Sequence, residues 1–333
     1  MNGFTPPDST VKPFKLLLTS AIDPGVTSRL AEHCDVILAP DASPETIRRL
    51  AADADAMIVR NQLAADVFDH TPELKYCVRH GVGLDMIPMA AATAAGIIVT
   101  NLPGSNTTAV TEYCLAAMFH FRRGLSVSDA RLREAGWAES RSLAGSALEL
   151  RGSTLGIVGV GSIGTEVARI GTAMGMRAIG LTRRPQSLPD FVEAVDKPAL
   201  FATADVIVLA CPLTDETRGL VDAAALALVK PDAIVINVAR GPVVDIEALM
   251  AALRQGRLRG AALDVHDRQP LAVDAAVFDC PNLLLTTHVA GTTAASLRNM
   301  SQGAMDTLLA LMRGERPMNI VNPEVLTAPP GIE

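Results

Sequence analysis

The sequence predicts an α/β protein built from two doubly wound parallel-sheet domains. Three observations predict it. The chain has 333 residues, more than the roughly 250 to 300 at which one core stops growing. Short apolar runs alternate with helical stretches in both halves, the rhythm of a parallel sheet with crossover helices. The alternation breaks off in a polar stretch over residues 122–150 and restarts near residue 153.

In the first half, residues 14–18, 36–39, 56–59, 74–78 and 97–100 read as buried strands. Pro103-Gly104-Ser105 then introduces a long helix over about 107–121, and 122–150 reads as polar and irregular. In the second half the strand candidates are 154–158, 178–181, 206–210, 234–238, 260–265 and 283–286, six strands that suit a doubly wound sheet. A last helix over about 292–312 precedes a proline-containing tail ending at Glu333. No short repeat of fixed period runs through the chain, which argues against a solenoid.

Composition excludes several functions. Apolar residues make up 49% and charged residues 20%, the balance of a globular protein with a sizeable core. A formal charge of −7 without a lysine or arginine block gives no footprint for nucleic acid. Cysteines 34, 77, 114, 211 and 280 are odd in number and lack CxxC spacing, which argues against a disulfide framework and a zinc site and for a reducing compartment. No metal is expected. Residues 1–13 carry no apolar signal core, and no apolar run reaches membrane-spanning length, so a cytoplasmic protein without membrane partners is expected.

The run Gly159-Val160-Gly161-Ser162-Ile163-Gly164 follows a strand and opens a helix. By itself the pattern is weak, but this context gives each glycine work: a tight turn, backbone approach to a pyrophosphate, and close helix–strand packing. The amides of Ser162 and Ile163 at the helix start and the helix dipole would meet the phosphates. The segment is read as a Rossmann nicotinamide dinucleotide site. At the end of the next strand, where NAD-preferring folds place an acid, the chain has Thr182-Arg183-Arg184. A hydroxyl and two guanidinium groups suit a 2′-phosphate, so NADP is expected over NAD, the other reading being solvated loop arginines.

Further segments carry a resemblance: His80-Gly81-Val82-Gly83-Leu84-Asp85, Asn101-Leu102-Pro103-Gly104, Cys211-Pro212-Leu213-Thr214, Ile236-Asn237-Val238-Ala239-Arg240-Gly241, Leu263-Asp264-Val265 and Thr287-His288-Val289-Ala290-Gly291. Together with the glycine turn they resemble the D-isomer-specific 2-hydroxyacid dehydrogenases, which include phosphoglycerate, glycerate and glyoxylate-reducing enzymes. The resemblance implies a discontinuous layout: a flavodoxin-like substrate domain from residues 1–105 and 296–333, with the Rossmann domain, 106–295, inserted. It also implies hydride transfer between NAD(P) and a small 2-keto or 2-hydroxy acid, and a homodimer built through the cofactor domains with the 122–150 segment.

Arg240 closes a strand, at the edge where open α/β sheets bind ligands. Its planar guanidinium can fork onto a carboxylate and polarise the neighbouring carbonyl as charge develops. His288, also just past a strand, suits general acid and base work. The family's third residue, a glutamate before a proline, is replaced here: the stretch reads Asp264-Val265-His266-Asp267-Arg268-Gln269-Pro270. The Gln269 amide can accept the imidazole N–H but brings no charge to favour the imidazolium. Asp267, two residues away, is expected to point elsewhere.

The resemblance makes the backbone of Val82, Gly83 and Leu84 the grip for the substrate carboxylate, and puts Asp264 on the nicotinamide amide. Cys211, Pro212 and Val238 would line the dinucleotide. Arg60 and Arg79 are read either as charge for the cleft or as solvated, and Asp85 as the cap of the next helix. Two other functions stay open on this reading. Glutamine beside the histidine also resembles formate dehydrogenases, whose hydride loss needs no proton transfer. Superfamily members that act as dinucleotide-sensing corepressors retain the cofactor motif too.

Overall fold

The computed structural model describes residues 13–326. The N-terminal stretch and the end of the proline-containing tail lie outside the described residues. In chain order the elements begin with β1 (Lys15–Leu18), α1 (Pro24–Leu30), β2 (Asp35–Leu38), α2 (Pro44–Ala51), β3 (Ala56–Val59), β4 (Tyr76–Arg79), α3 (Met89–Ala94) and β5 (Ile98–Thr100). Helices α4 (Thr107–Arg123), α5 (Leu125–Ala135) and α6 (Trp137–Ser142) lead into β6 (Thr154–Val158), α7 (Ser162–Ala173), β7 (Arg177–Leu181) and β8 (Val192–Ala194). Then come α8 (Lys197–Thr203), β9 (Val206–Leu209), α9 (Ala223–Leu228), β10 (Ile234–Asn237), α10 (Ile246–Arg254), β11 (Gly260–Leu263), β12 (Leu283–Leu285) and α11 (Ala294–Met312).

The described chain divides into two compact units, one of residues 13–106 with 294–326 and one of Thr107–Thr293. The first holds a five-stranded sheet of order β2-β1-β3-β4-β5, all parallel. Leu16, Leu18, Ile58 and Val78 line one face and pack with Met300, Ala304 and Leu308 of α11, so the C-terminal helix belongs to this unit. Leu17, Met57, Val59 and Cys77 line the other. Burial on both faces explains why these strands read as continuous apolar runs.

The second unit holds a seven-stranded parallel sheet of order β12-β11-β10-β9-β6-β7-β8. Sequence order runs outward in one direction from β6 and in the other from β9, so the topological switch point lies between those two strands. Val158, Leu209, Asn237, Leu263 and Leu285 sit side by side in register and end their strands together. Whatever follows each of them emerges at one sheet edge, where open α/β sheets receive ligands.

Three expectations need correction. Residues 122–150 are not irregular: α5 and α6 occupy much of the stretch. Helix α5 buries none of its residues and lies between left-handed Gly124 (φ 57°) and Gly136 (φ 85°). With no face turned to a core it shows no apolar stripe, the signal by which helices are read. The second sheet has a seventh strand, β8, whose three residues include one buried side chain, Val192, too short for an alternation pattern. Asp85 caps no helix, because α3 begins at Met89 behind Pro88 without a side-chain cap.

No helix among the described residues is long and apolar enough to cross a membrane. The five cysteines are buried free thiols.

Candidate active site

The glycine turn lies at the switch point. Gly159 takes φ +89°, and a Cβ there would sit 2.6 Å from the Cα of Cys211, so only glycine lets the β6 and β9 ends approach this closely. A Cβ on Gly164 would sit 2.3 Å from the Gly159 carbonyl oxygen, which is how the third glycine seats α7 against the turn. Gly161 is different: a Cβ there would meet nothing within 4 Å. Its lack of a side chain serves no internal contact and leaves a cradle open in front of α7, whose N-terminus has no side-chain cap. This fits the pyrophosphate of a dinucleotide, with the amides of Ser162 and Ile163 at the dipole's positive end.

The turn after β7 carries no carboxylate. The Thr182 hydroxyl accepts the Arg184 amide at 3.2 Å and fixes the bend. Arg183 and Arg184 are exposed, and Arg183 lies 4.0 Å from Glu216, an acid of the loop after β9 that no motif marks. Cys211 is buried, and burial pushes its thiol up. Pro212 stays exposed while its carbonyl accepts the Thr217 hydroxyl at 2.7 Å.

Arg240 leaves the end of β10 on a braced loop. Fully buried Asn237 accepts the Ala239 amide at 3.0 Å and donates to the Arg240 carbonyl at 2.9 Å, across Val238. The Arg240 guanidinium donates to the Ala239 carbonyl at 2.6 Å. A Cβ on Gly241 would lie 2.2 Å from the carbonyl carbon of His266, so glycine is needed for this loop to pass beside the segment that carries Gln269.

His288 follows β12, two strands from β10, a lateral offset of roughly 10 Å. Its backbone is left-handed (φ 58°), a conformation that costs a non-glycine residue on the order of 1 kcal/mol and persists where the surroundings impose it. Asp264, 1% exposed at the end of β11, imposes it. Its carbonyl accepts the His288 amide at 2.8 Å. One carboxylate oxygen accepts the Val289 amide at 2.8 Å and the Thr286 hydroxyl at 2.6 Å, the other the Ala290 amide at 2.9 Å. Because Thr286 donates to Asp264, the Tyr113 hydroxyl 2.8 Å away donates to Thr286. Burial pushes the Tyr113 phenol up to about 12, so it remains a donor.

The imidazole is set by Gln269, whose Oε1 lies 3.1 Å from His288 Nδ1. Its Nε2 donates to the His266 carbonyl at 3.3 Å, which turns the amide oxygen toward the ring. Asp267 is not part of this contact; burial raises its carboxyl, and its charged neighbours are Arg218, Asp245 and His266.

In the other unit the loop after β4 is folded around a guanidinium. Arg79 donates to the carbonyls of Gly83 (3.0 Å), Val59 (3.0 Å) and His80 (2.7 Å), and Asn101 donates to the Val82 carbonyl at 2.8 Å. With these carbonyls engaged, the amides of Val82, Gly83 and Leu84 have no acceptor among the described residues. Consecutive amides of this kind form an anion-receiving nest. Arg79 is therefore neither solvated nor a free cleft charge. Arg60, likewise, donates to the Ala21 carbonyl.

Asn237, Thr286, Tyr113 and Arg79 were missed as supports. Thr286 and Asn237 sit at strand ends close to His288 and Arg240, a signal readable in the sequence. Tyr113 and Arg79 act across distances in sequence that only folding reveals.

Comparison with known proteins gives consistent results. The family described as "D-isomer specific 2-hydroxyacid dehydrogenase, NAD binding domain" matches residues 115–290. A glyoxylate reductase of Thermococcus onnurineus is 34% identical over 96% of this chain and 99% of its own. The NADPH-dependent glyoxylate/hydroxypyruvate reductase of Sinorhizobium meliloti, solved with NADP and malonate, superposes with a TM-score of 0.82 at 30% identity, covering 93% of this chain and 97% of that one. An acyclic imino acid reductase solved with NADPH and D-Arg superposes with a TM-score of 0.85 at 25% identity, covering 92% and 100%.

Proposed function

The chain belongs to the D-isomer specific 2-hydroxyacid dehydrogenase family, and from that premise we propose that it reduces glyoxylate, hydroxypyruvate or a similarly small 2-keto acid with NADPH. It is an oxidoreductase of CH–OH donors that moves a hydride between a nicotinamide cofactor and a small 2-keto or 2-hydroxy acid. The observation that carries the residue assignment is the shared sheet edge: Gly159, Arg240, Asp264 and His288 all follow strand ends that lie in one register.

The bound nicotinamide supplies the hydride. Arg240 binds the substrate carboxylate and polarises the keto group, stabilising the oxyanion that develops. His288 gives the proton to the new alkoxide and takes it back in the reverse direction, with Gln269 orienting its ring. The amides of Val82, Gly83 and Leu84 receive the carboxylate. Gly161, Ser162 and Ile163 hold the pyrophosphate, while Cys211, Pro212 and Val238 line the dinucleotide. Asp264 is assigned to the nicotinamide amide as well as to the His288 turn.

The NADPH preference is supported by Thr182, Arg183 and Arg184 in place of a carboxylate. A homodimer is supported by α5 and α6, which leave Leu125 and Trp137 67% and 73% exposed, a cost that a partner surface would remove. Five free thiols suit a cytoplasmic setting.

The deciding experiment is kcat/KM for NADPH and NADH against a panel of 2-keto acids. Turnover of glyoxylate or hydroxypyruvate with NADPH preferred is expected, and Arg183→Ala should cut that preference by about tenfold or more. Tight dinucleotide binding with no turnover of any acid would replace the enzyme reading by a sensor. Equal or NADH-favouring values would remove the cofactor preference.

A further inference from the structure

The loop after β4 owes the direction of its amides to residues far along the chain. A trans peptide is planar, so fixing its carbonyl fixes the N–H on its other side. The Leu102 amide donates to the Gly81 carbonyl at 2.9 Å and sets the Val82 N–H. The Asn101 side chain donates to the Val82 carbonyl at 2.8 Å and sets the Gly83 N–H. Arg79, on the Gly83 carbonyl at 3.0 Å, sets the Leu84 N–H.

Asn101 is itself held by Asn319. β5 is the outer strand of its sheet, and the chain returns along it after α11. Ile320 bridges Thr100 in the antiparallel sense, and the Val321 amide donates to the Val99 carbonyl at 2.9 Å. At the end of this pairing the Asn319 side chain donates to the Asn101 carbonyl, and the Asn319 carbonyl accepts the Asn101 amide at 3.4 Å. The same Nδ2 donates to the Thr307 hydroxyl of α11 at 3.3 Å. Asn319 thus grips the Asn101 backbone on both sides of its Cα, and the side chain aimed at Val82 leaves from a fixed point.

The returning segment has a separate anchor. Asn322, 1% exposed, accepts the Val99 amide at 2.8 Å and donates to the Ile97 carbonyl at 2.8 Å. These bonds hold the segment against β5 without the Asn319 side chain.

We propose that Asn319 is a positioning residue for the substrate: acting through Asn101, it fixes the Gly83 amide that receives the carboxylate of the 2-keto acid. This deepens the reading above and rests on its assignment of that carboxylate to the amides of Val82, Gly83 and Leu84.

The test compares Asn319→Ala, Asn101→Ala, the double variant and Leu308→Val in the full-length protein. Leu308→Val trims a fully buried side chain of α11 and leaves these hydrogen bonds in place. The readouts are kcat and KM for glyoxylate with NADPH, the Kd of oxalate by isothermal titration with NADP+ present, and Tm. Each asparagine variant should raise KM and the oxalate Kd about tenfold, the scale of one hydrogen bond to a charged group. Both kcat and the NADPH Kd should stay within about twofold, because a contact equal in ground and transition states is read in KM alone. The double variant should bind no more weakly than Asn101→Ala, since both changes release the same amide. Leu308→Val should lower Tm without moving KM.

An unchanged KM and oxalate Kd in Asn319→Ala would overturn the inference and leave the 2-keto acid reading standing. So would penalties that multiply in the double variant, or an equal rise of KM in Leu308→Val. If Asn101→Ala does not fold, the comparison of Asn319→Ala with Leu308→Val decides alone. A wild type that turns over no acid, with oxalate binding still weakened by Asn319→Ala, would remove the reading and keep the role of Asn319. Absence of both turnover and oxalate binding would remove both.

Discussion

Asp264 holds His288 through its backbone and the residues on either side of His288 through its side chain. The Asp264 carbonyl accepts the His288 amide at 2.8 Å, and its carboxylate accepts the next two amides, Val289 and Ala290, at 2.8 and 2.9 Å. One buried acid thereby sets the left-handed backbone of the residue assigned the proton transfer.

Asp264→Asn keeps the size but turns one accepting oxygen into an NH2, which faces an amide N–H or the Thr286 hydroxyl. We expect kcat to fall by about 100-fold, the scale of an ångström-level misplacement, with a lowered Tm. Steady-state kinetics alongside thermal unfolding checks this. An unchanged kcat would show that the turn holds without the carboxylate.

Gln269→Glu places a carboxylate on His288 Nδ1 and favours the imidazolium. On the proposed mechanism keto-acid reduction uses the charged ring, so its decline with rising pH should move to higher pH. Oxidation of the hydroxy acid uses the neutral ring, and its onset should move upward too. Rate–pH profiles in both directions test the pair, and profiles that stay in place would remove Gln269 from the site.

Two glycine substitutions should separate folding from binding. Gly164→Ala drives a Cβ to 2.3 Å from the Gly159 carbonyl oxygen and should lower Tm markedly. Gly161→Ala meets nothing within 4 Å and should leave Tm in place while weakening dinucleotide binding. Thermal unfolding and fluorescence titration with NADPH read the two effects; equal binding by the Gly161 variant would mean the cradle is not used.

Arg79→Met removes the guanidinium that gathers the carbonyls of Val59, His80 and Gly83. The nest amides then lose their common direction. KM for the 2-keto acid should rise about tenfold or more, on the scale of one to two lost hydrogen bonds, while NADPH affinity stays unchanged. Arg79→Lys, with fewer donors, should rescue only part of the loss. A rise in NADPH Kd of the same size would indicate general damage instead.

His80, 3% exposed, donates through Nε2 to Ser301 Oγ at 2.9 Å, since the Ser301 hydroxyl itself donates to Leu297. Burial, with help from the Arg60 charge, pushes the imidazole down to about 4. Its folded pKa is depressed, so the unfolded chain binds the proton first. The protein should lose stability as pH falls from about 6.5 toward about 4, by up to about 3 kcal/mol from this residue. Denaturant titrations of the wild type and His80→Gln test it: the variant should show a shallower loss over that window.

The alternating apolar runs determined by themselves that the chain folds as parallel α/β layers, because a strand buried on both faces must be apolar throughout. The glycine spacing marked the dinucleotide turn, since Gly159 and Gly164 have no room for a Cβ. Arg240, His288 and Gln269 are proposed because each lies just beyond a strand or beside a proline in a segment with family character. Helix α5 escaped because it buries nothing, and Asp85 misled because a cap residue is also a turn residue. What only the tertiary structure decided is how these groups are held. Asp264, Thr286 and Tyr113 come from three elements, and Arg79 reaches carbonyls on two strands' ends. Hydrogen bonds are short and directional, so such partnerships depend on strand register and chain crossing, which no local pattern of residues encodes.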